Sequence, residues 1–532
     1  MPTVEGDFGT RCLGIVLRWH QGGHRLRLPS PASWEDLPMA LTDITRPSDV
    51  ALNTDLYELT MAQGFWESGL VDVEGCFNVF FRDNPFGGGY AVACGMGQIA
   101  DLVESFLFDD DSIAYLESVQ APGGGPMFKR GFLDYLGGFR MRVSVWAVPE
   151  GDLVFPREPM VRVEGPIIDC QLLETALLNL VNFQTLVATK AARVVHAAEG
   201  HPVSDFGLRR AQGPDGGLAV ARASYVGGAS STSNVLAGKV YGIPVFGTHA
   251  HSWVMAFPTE LDAFRAFARS SPKNCVLLLD TYDVHQGIRN AIVVAKEMEA
   301  AGERLAAIRI DSGDLARLSK ETRAAFDAEG LGYVRISASN DLDEYTIQSL
   351  FAQGAPIDSF GVGTKLATCD PQPSLGGVYK LSATRSQDGT WEPVIKLSEM
   401  AYKRTIPGVQ HVRRYVDAAG CPVGDMIVDD AVDAGDDSTI VDVLDDLTTY
   451  DVSGATSREL LERVVERGVR SKEPDSLELA RSRCREALMH LDPAVRRFLN
   501  PQIYPVGLES GLARLRGELA RSERCGSGRR SG

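Results

Sequence analysis

The chain has 532 residues, about three domains' worth at roughly 150 residues each, so a sizeable core can be buried and a mini-protein or simple binding module is excluded. Hydrophobic residues make up 44% and charged residues 23%, as in an ordinary globular protein, and Lys+Arg 53 against Asp+Glu 70 leaves a net charge of -17. That field repels phosphate backbones and anionic membrane surfaces, which argues against nucleic acid and membranes as partners while leaving room for a small phosphorylated substrate in a locally basic cleft.

Residues 1–45 mix Gly, Pro, Arg and His without a helical or strand period and read as a disordered extension, and regular patterning after Met39 makes that residue a candidate for the true start. The acidic beginning, with Glu5 and Asp7, and an apolar run over 12–17 broken by Arg18 do not have the form of a secretory signal. The 9 cysteines are scattered and include no CxxC pair, which fits a reduced cytoplasmic protein better than a disulfide or zinc scaffold. The longest uncharged helical stretch, 175–189, contains Asn179, Asn182 and Gln184 and is shorter than the roughly 20 apolar residues of a membrane span.

The first strong element opens at Thr54-Asp55-Leu56-Tyr57-Glu58. Asp55 and Glu58 are spaced as a capping box for a helix through Leu59, Met61 and Phe65, with Tyr57 in its exposed first turn. Alternating apolar positions at Phe139, Met141, Val143 and Val145, and again at Val161 and Val163, predict strands of a sheet with one buried face. Leu173, Leu177, Leu180, Phe183 and Val187 predict a long helix between 171 and 195. From about 200 onward, short apolar runs ending at Asp205, Phe246, Leu279, Ile310, Ser337 and Phe360 alternate with helical stretches, the cadence of βα units in a parallel sheet or barrel. The tail over 520–532, rich in Arg, Ser and Gly, reads as disordered.

Polar or small residues follow each of these runs: Arg209-Arg210, Thr248-His249-Ala250-His251, Asp280-Thr281-Tyr282-Asp283, Asp311-Ser312-Gly313-Asp314, Ser339-Asn340 and Gly361-Val362-Gly363-Thr364. In a βα barrel the carboxyl ends of the strands line one face, so these segments are expected to converge on one pocket. Asp280 with Asp283 and Asp311 with Asp314 offer hard oxygen ligands for Mg²⁺ or acceptors for sugar hydroxyls. Arg209, Arg210 and Arg309 offer forks for phosphate or carboxylate, and Gly361 and Gly363 let backbone N–H groups approach a phosphate. Each has an ordinary alternative, since an Asp at a strand end is often a helix N-cap and an Arg pair can form surface ion pairs. Their placement on one predicted face is what points to a phosphorylated sugar held with a metal. An HxH pair also begins some metallo-hydrolase sites, but after His251 only His285 falls in the barrel region. His251 is therefore read either as a structural histidine or as a nucleophilic imidazole beside Mg²⁺ and phosphate.

The segments 54–61, 80–86, 207–216, 247–252, 309–314 and 373–380, in this order, are similar to those of the nicotinate phosphoribosyltransferase family, and the match runs from about Leu52 to Tyr504. The resemblance implies a type II phosphoribosyltransferase fold, an irregular α/β barrel joined to an open-faced α/β sandwich built from early and late segments. On that pattern 46–165 is the first part of the sandwich, 166–375 the barrel with the active site, and 376–519 the return to the sandwich with C-terminal helices. It also implies a homodimer with composite sites. The implied reaction joins nicotinate to 5-phosphoribosyl 1-diphosphate with coupled ATP hydrolysis, giving nicotinate mononucleotide and diphosphate in NAD biosynthesis. By position in the matching motifs, His251 resembles the family's phosphorylated histidine, and Tyr57, Thr248 and Arg309 its nicotinate contacts. Arg209 resembles a substrate-anion contact, and Thr364, with Gly361 and Gly363, the region near the ribose phosphate. His249 receives no role, because its slot in the family is usually apolar or small. Asp280 and Asp311 are the candidates for holding Mg²⁺ on the leaving diphosphate and for stabilising charge on the ribose. Two other readings stay open. A nicotinamide phosphoribosyltransferase is one, although 227–234 lacks the acid that would accept from an amide. The second is a non-catalytic metabolite-binding homologue, against which His251, the Asp pairs and Arg309 argue.

Overall fold

The computed structural model describes residues 50–385, 389–397, 404–431 and 438–527, so the expected extension over 1–45 and the question of Met39 lie outside the described residues. A seven-stranded sheet, antiparallel throughout, runs in the order Trp391–Pro393, Gly377–Arg385, Glu74–Phe81, Val161–Pro166, Ser144–Ala147, Glu462–Glu466, Val469–Arg470. Its middle strand Glu74–Phe81 pairs with Gly377–Arg385 on one side and Val161–Pro166 on the other, so early and late segments share one sheet. A second sheet runs Thr449–Asp451, Thr439–Asp442, Val506–Leu508, Pro422–Asp429, Gln410–Val416, Thr456–Glu459 and is antiparallel except between Pro422–Asp429 and Val506–Leu508.

The expectation of one buried face fails for Glu74–Phe81. Phe77, Val79 and Phe81 enter the main core, while Cys76, on the opposite face, packs with Ala383 and Val409. The alternation at Phe139, Met141 and Val143 marks burial without strand pairing, which begins only at Ser144. The Arg142 N–H, instead of joining a ladder, donates to the Asp169 carboxylate at 2.8 Å. The helix Leu56–Glu67 is present, but its capping box is not. Asp55 makes no side-chain cap bond, and both carboxylates turn to another helix, Asp55 and Glu58 each accepting from the Thr175 hydroxyl at 3.1 and 3.3 Å. At the other end, the helix Ser510–Ser527 carries regular structure past the expected start of the tail at 520.

The predicted long helix is Glu174–Ala197, entered through the helix Ile167–Leu172. Its residues Lys190 and Arg193, both essentially without solvent exposure, share the buried carboxylate of Glu344 at 2.5 and 2.8 Å. That triad ties the long helix to the barrel helix Glu344–Ala352. Among the described residues no helix is long and apolar enough to cross a membrane.

The barrel portion is an all-parallel sheet in the order Ser231–Thr232, Val203–Asp205, Ser359–Val362, Arg335–Asn340, Ala307–Ile310, Val276–Leu278. The run ending at Phe246 never becomes a strand; Val245 only bridges to Thr232 at one edge. Ser231–Thr232 is a strand that the apolar pattern does not announce, since both residues are polar. The sheet curls into a partial barrel whose seam lies between the Val245 side and the edge strand Val276–Leu278.

Candidate active site

The barrel strands deliver polar residues at or just beyond their carboxyl ends. Asp280 follows the edge strand, and its Oδ2 accepts from the Asp311 N–H at 2.9 Å and the Ser312 hydroxyl at 2.5 Å. The Asp311 Oδ1 accepts from the Ser339 hydroxyl of the next strand. Its Oδ2 lies 3.7 Å from the Nε2 of His251, whose Nδ1 is 3.3 Å from the Thr281 hydroxyl. Asp280, Thr281, Asp311, Ser339 and His251 thus form one connected group at the strand ends.

The two Asp pairs divide. Asp283 accepts from the Gln286 N–H at 2.8 Å and caps the helix Val284–Ala300, while Asp314 accepts from the Arg317 N–H at 3.0 Å and caps Leu315–Ala328. Both are occupied as N-caps, which leaves Asp280 and Asp311 as the candidate carboxylates at the strand ends.

Arg309 lies one residue before the end of the neighbouring strand Ala307–Ile310 and reaches the loop that carries the histidines. One terminal nitrogen donates to the Thr248 hydroxyl and the other to the His249 carbonyl at 3.3 Å. Its Nε is buried and has no partner among the described residues, as is the Oδ1 of Asp280. Burial pulls the Arg309 guanidinium below its ordinary range, and Arg209 adds repulsion while Asp311 and Asp280 offset it. Arg209 itself is exposed in the turn Leu208–Arg210. Two guanidinium groups near one another with an unused donor edge favour an anion between them.

The glycine motif divides as well. Gly361 lies within its strand between Ser204 and Ser339, and a Cβ there would stand 2.4 Å from the Phe206 ring, so this glycine serves close packing. Gly363 and Thr364 lie beyond the strand, with Thr364 opening the short helix Thr364–Ala367. Asp205 was not anticipated as a site residue. Its carboxylate accepts from the Gly207 N–H and the Thr232 hydroxyl, both at 2.8 Å, and fixes the turn that presents Arg209; burial raises its pKa. In the acid-free stretch 227–234, Ser231 bonds Ser204, Thr232 bonds Asp205, and Asn234 caps the helix Val235–Tyr241.

Tyr57 stands apart from this group. It lines a depression of about 350 Å³ with Asp55, Thr175, Asn179, Asn182 and Ser374, none of them a barrel strand-end residue. The ring is 44% exposed, and burial together with Glu58 and Glu174 raises its hydroxyl pKa. Nearby, Lys380 is pulled down chiefly by burial, with Lys396 and Arg82 repelling it and Glu174 opposing them. This cluster of Lys380, Lys396 and Arg82 escaped the sequence reading because the three cations come from distant segments.

Three family models cover nearly the whole described chain. The nicotinate phosphoribosyltransferase N-terminal domain matches residues 52–182, the nicotinate phosphoribosyltransferase family 202–406, and the C-terminal domain 409–516. The chain belongs to the nicotinate phosphoribosyltransferase family. Among its relatives, the nicotinate phosphoribosyltransferase of Bacillus subtilis (strain 168) is 40% identical over 469 residues, spanning 87% of this chain and 94% of that protein. The human nicotinate phosphoribosyltransferase is 35% identical over 522 residues, spanning 87% and 95%. The crystal structure of human nicotinic acid phosphoribosyltransferase superposes with a TM-score of 0.76 at 32% identity, covering 88% of this chain and 99% of that one.

For a family member of this kind, the fit of the site to Mg²⁺ can be judged from the carboxylates present. Asp280 offers a buried oxygen without a hydrogen-bond partner, as a metal ligand would. Among the described residues no group of three or more His, Cys, Asp or Glu side chains forms a cage. That donor set suits Mg²⁺ held by one or two carboxylates together with substrate phosphate oxygens.

Proposed function

We propose that this chain is an ATP-dependent nicotinate phosphoribosyltransferase, a homodimeric cytoplasmic enzyme of NAD biosynthesis that joins nicotinate to 5-phosphoribosyl 1-diphosphate and releases diphosphate. The observation that carries the reading is the pair of unpartnered buried atoms at the strand ends, the Nε of Arg309 and the Oδ1 of Asp280. A buried donor and a buried acceptor left without partners are costly unless a ligand completes them. The nicotinate carboxylate suits the positive guanidinium of Arg309, whose Nε–H is without a partner among the described residues, with Thr248 beside it, and a neutral amide would leave that charge unanswered.

Breaking the bond from ribose to diphosphate develops positive charge on the sugar, and Asp311 and Asp280 supply negative charge on that side. Asp280 and Asp311 would hold a Mg²⁺ ion, which would supply charge neutralisation on the phosphate oxygens. Thr364 and Gly363 receive the ribose phosphate, and Arg209 draws the anion into the mouth.

ATP acts through His251. Asp311 on the Nε2 side favours the ring proton there and leaves the Nδ1 lone pair as nucleophile. Attack on the γ-phosphorus forms the N–P bond and expels ADP; later hydrolysis frees phosphate and returns the neutral ring. Tyr57, whose depression is lined by no barrel strand-end residue, stacks on the pyridine held by a second copy.

The test is a product assay with nicotinate and nicotinamide in parallel, each with and without ATP, joined to incubation with γ-labelled ATP and peptide mapping. An acid-labile label on His251 and faster nucleotide formation from nicotinate are expected. A label on another residue, an acid-stable label, or equal rates with both pyridines sinks the reading.

A further inference from the structure

The barrel sheet ends at two edges, and one histidine spans the gap between them. At the first edge, the Thr232 N–H donates to the Pro244 carbonyl and the Phe246 N–H to the Thr232 carbonyl, both at 3.0 Å, which fixes the segment leading into Thr248. At the second edge, the Leu278 N–H of the strand Val276–Leu278 donates to the Nε2 of His249 at 3.3 Å. An edge strand leaves such N–H groups without a ladder partner, and here a side chain from the far side of the seam supplies one. Nε2 can accept only if the ring proton is on Nδ1, which faces the Ala250 carbonyl at 3.4 Å. The ring is 7% exposed and lies edge-on against Phe267, with centroids 4.7 Å apart. Its tautomer and orientation are therefore both set by the seam.

The same residue faces the site through its main chain. The His249 carbonyl accepts from Arg309, whose other terminal nitrogen holds Thr248. We propose that His249 is a positioning residue, whose imidazole clasps the barrel seam and so holds the peptide that orients Arg309. The clasp itself is independent of any substrate. Its effect on substrate rests on the reading of Arg309 as the group that binds the nicotinate carboxylate.

Hydrogen exchange over peptides covering 273–282, together with separate KM values for nicotinate and for 5-phosphoribosyl 1-diphosphate, tests both halves in the full-length protein. His249→Leu keeps bulk but has no acceptor. It should speed exchange at 276–279 and raise the nicotinate KM by roughly tenfold, the effect of one lost buried hydrogen bond, with kcat changed less than about threefold. His249→Gln, whose amide oxygen can accept the same N–H, should regain most of the protection and most of the KM. Unchanged exchange in His249→Leu overturns the clasp, and faster exchange with an unchanged nicotinate KM overturns the positioning role. If His249→Leu does not fold, His249→Gln decides: protection at 276–279 close to that of the parent supports the clasp, and full exposure there overturns it. Arg309→Leu separates the underlying reading, since an unchanged nicotinate KM in that variant removes Arg309 as the carboxylate group and leaves the exchange result standing.

Discussion

The Nε2 of His251 faces the Oδ2 of Asp311 at 3.7 Å, from the side of the ring opposite the Thr281 hydroxyl. On the proposed reading Asp311 serves the histidine as well as the ribose side of the site. Asp311→Asn keeps the shape and removes the charge that favours a proton on Nε2, so the rate of phosphoryl transfer from ATP to His251 should fall by roughly 100-fold. Single-turnover incorporation of label from γ-labelled ATP measures it, and an unchanged rate would free Asp311 of that role.

Arg309 gives a second expectation. Replacement by Leu removes the charge from a largely buried position and should lower kcat/KM for nicotinate by at least about 100-fold, while the rate with nicotinamide, which has no carboxylate to lose, should fall much less. Competition between the two pyridines, read by product ratio, checks it. An equal loss for both would mean that Arg309 does not discriminate charge.

A third expectation concerns Tyr57, whose depression is lined by no barrel strand-end residue. If the tyrosine serves a second copy, inactive Tyr57→Ala mixed with inactive His251→Ala should regain activity, approaching one intact site in each mixed dimer. Demonstrated subunit exchange with no recovery would refute the composite site.

Removing the shared carboxylate of Glu344 leaves Lys190 and Arg193 buried with no counter-charge at their meeting point. Glu344→Gln should therefore destabilise the fold by about 3–5 kcal/mol, the range for a broken buried ion pair. Denaturant unfolding measures the loss, and a change under about 1 kcal/mol would show that the neighbouring structure rearranges to admit water.

Stability should also depend on pH through His249. Burial, against the opposing contact with the Ala250 carbonyl and helped by the nearby Arg309 cation, brings its pKa down from 6.5 to about 4. Between those values the unfolded chain takes up a proton that the folded chain refuses, so this contribution is fully present above about pH 6.5 and is lost as pH falls toward 4. The window spans roughly 3 kcal/mol at about 1.4 kcal/mol per unit. His249→Leu should flatten the fall in urea midpoint between pH 7.5 and 4.5 relative to the parent protein, and parallel curves would contradict it.

The strand ends of the barrel were legible because βα units repeat a run of apolar residues followed by polar ones, a local pattern. Asp280 and Asp311 were found that way. Their neighbours Asp283 and Asp314 were grouped with them because a capping Asp and a ligand Asp look alike in sequence; which carboxylate meets a free N–H depends on where the helix begins. The capping box at Asp55 and Glu58 misled for a tertiary reason, since Thr175 of another helix takes both side chains. The strand Ser231–Thr232 gave no apolar signal, being two polar residues held by Ser204 and Asp205. Nothing local announced His249 as a link across the seam, because its partner is a backbone N–H 29 residues away.

The strand Glu74–Phe81 has consequences for how the chain comes to exist. Its neighbour Gly377–Arg385 includes Arg385, which pairs with Glu74 across 311 residues of sequence. During synthesis, at about 5–20 residues per second, that edge of Glu74–Phe81 stays open for tens of seconds while the whole barrel emerges between the two strands. An exposed β-edge of apolar residues is a template for aggregation over such an interval. The barrel, whose strands are all drawn from one continuous stretch, can close during that time, and the late strand then completes the sheet beside a barrel already formed. Newly made chains stalled before 377 should accordingly be the species that chaperones hold.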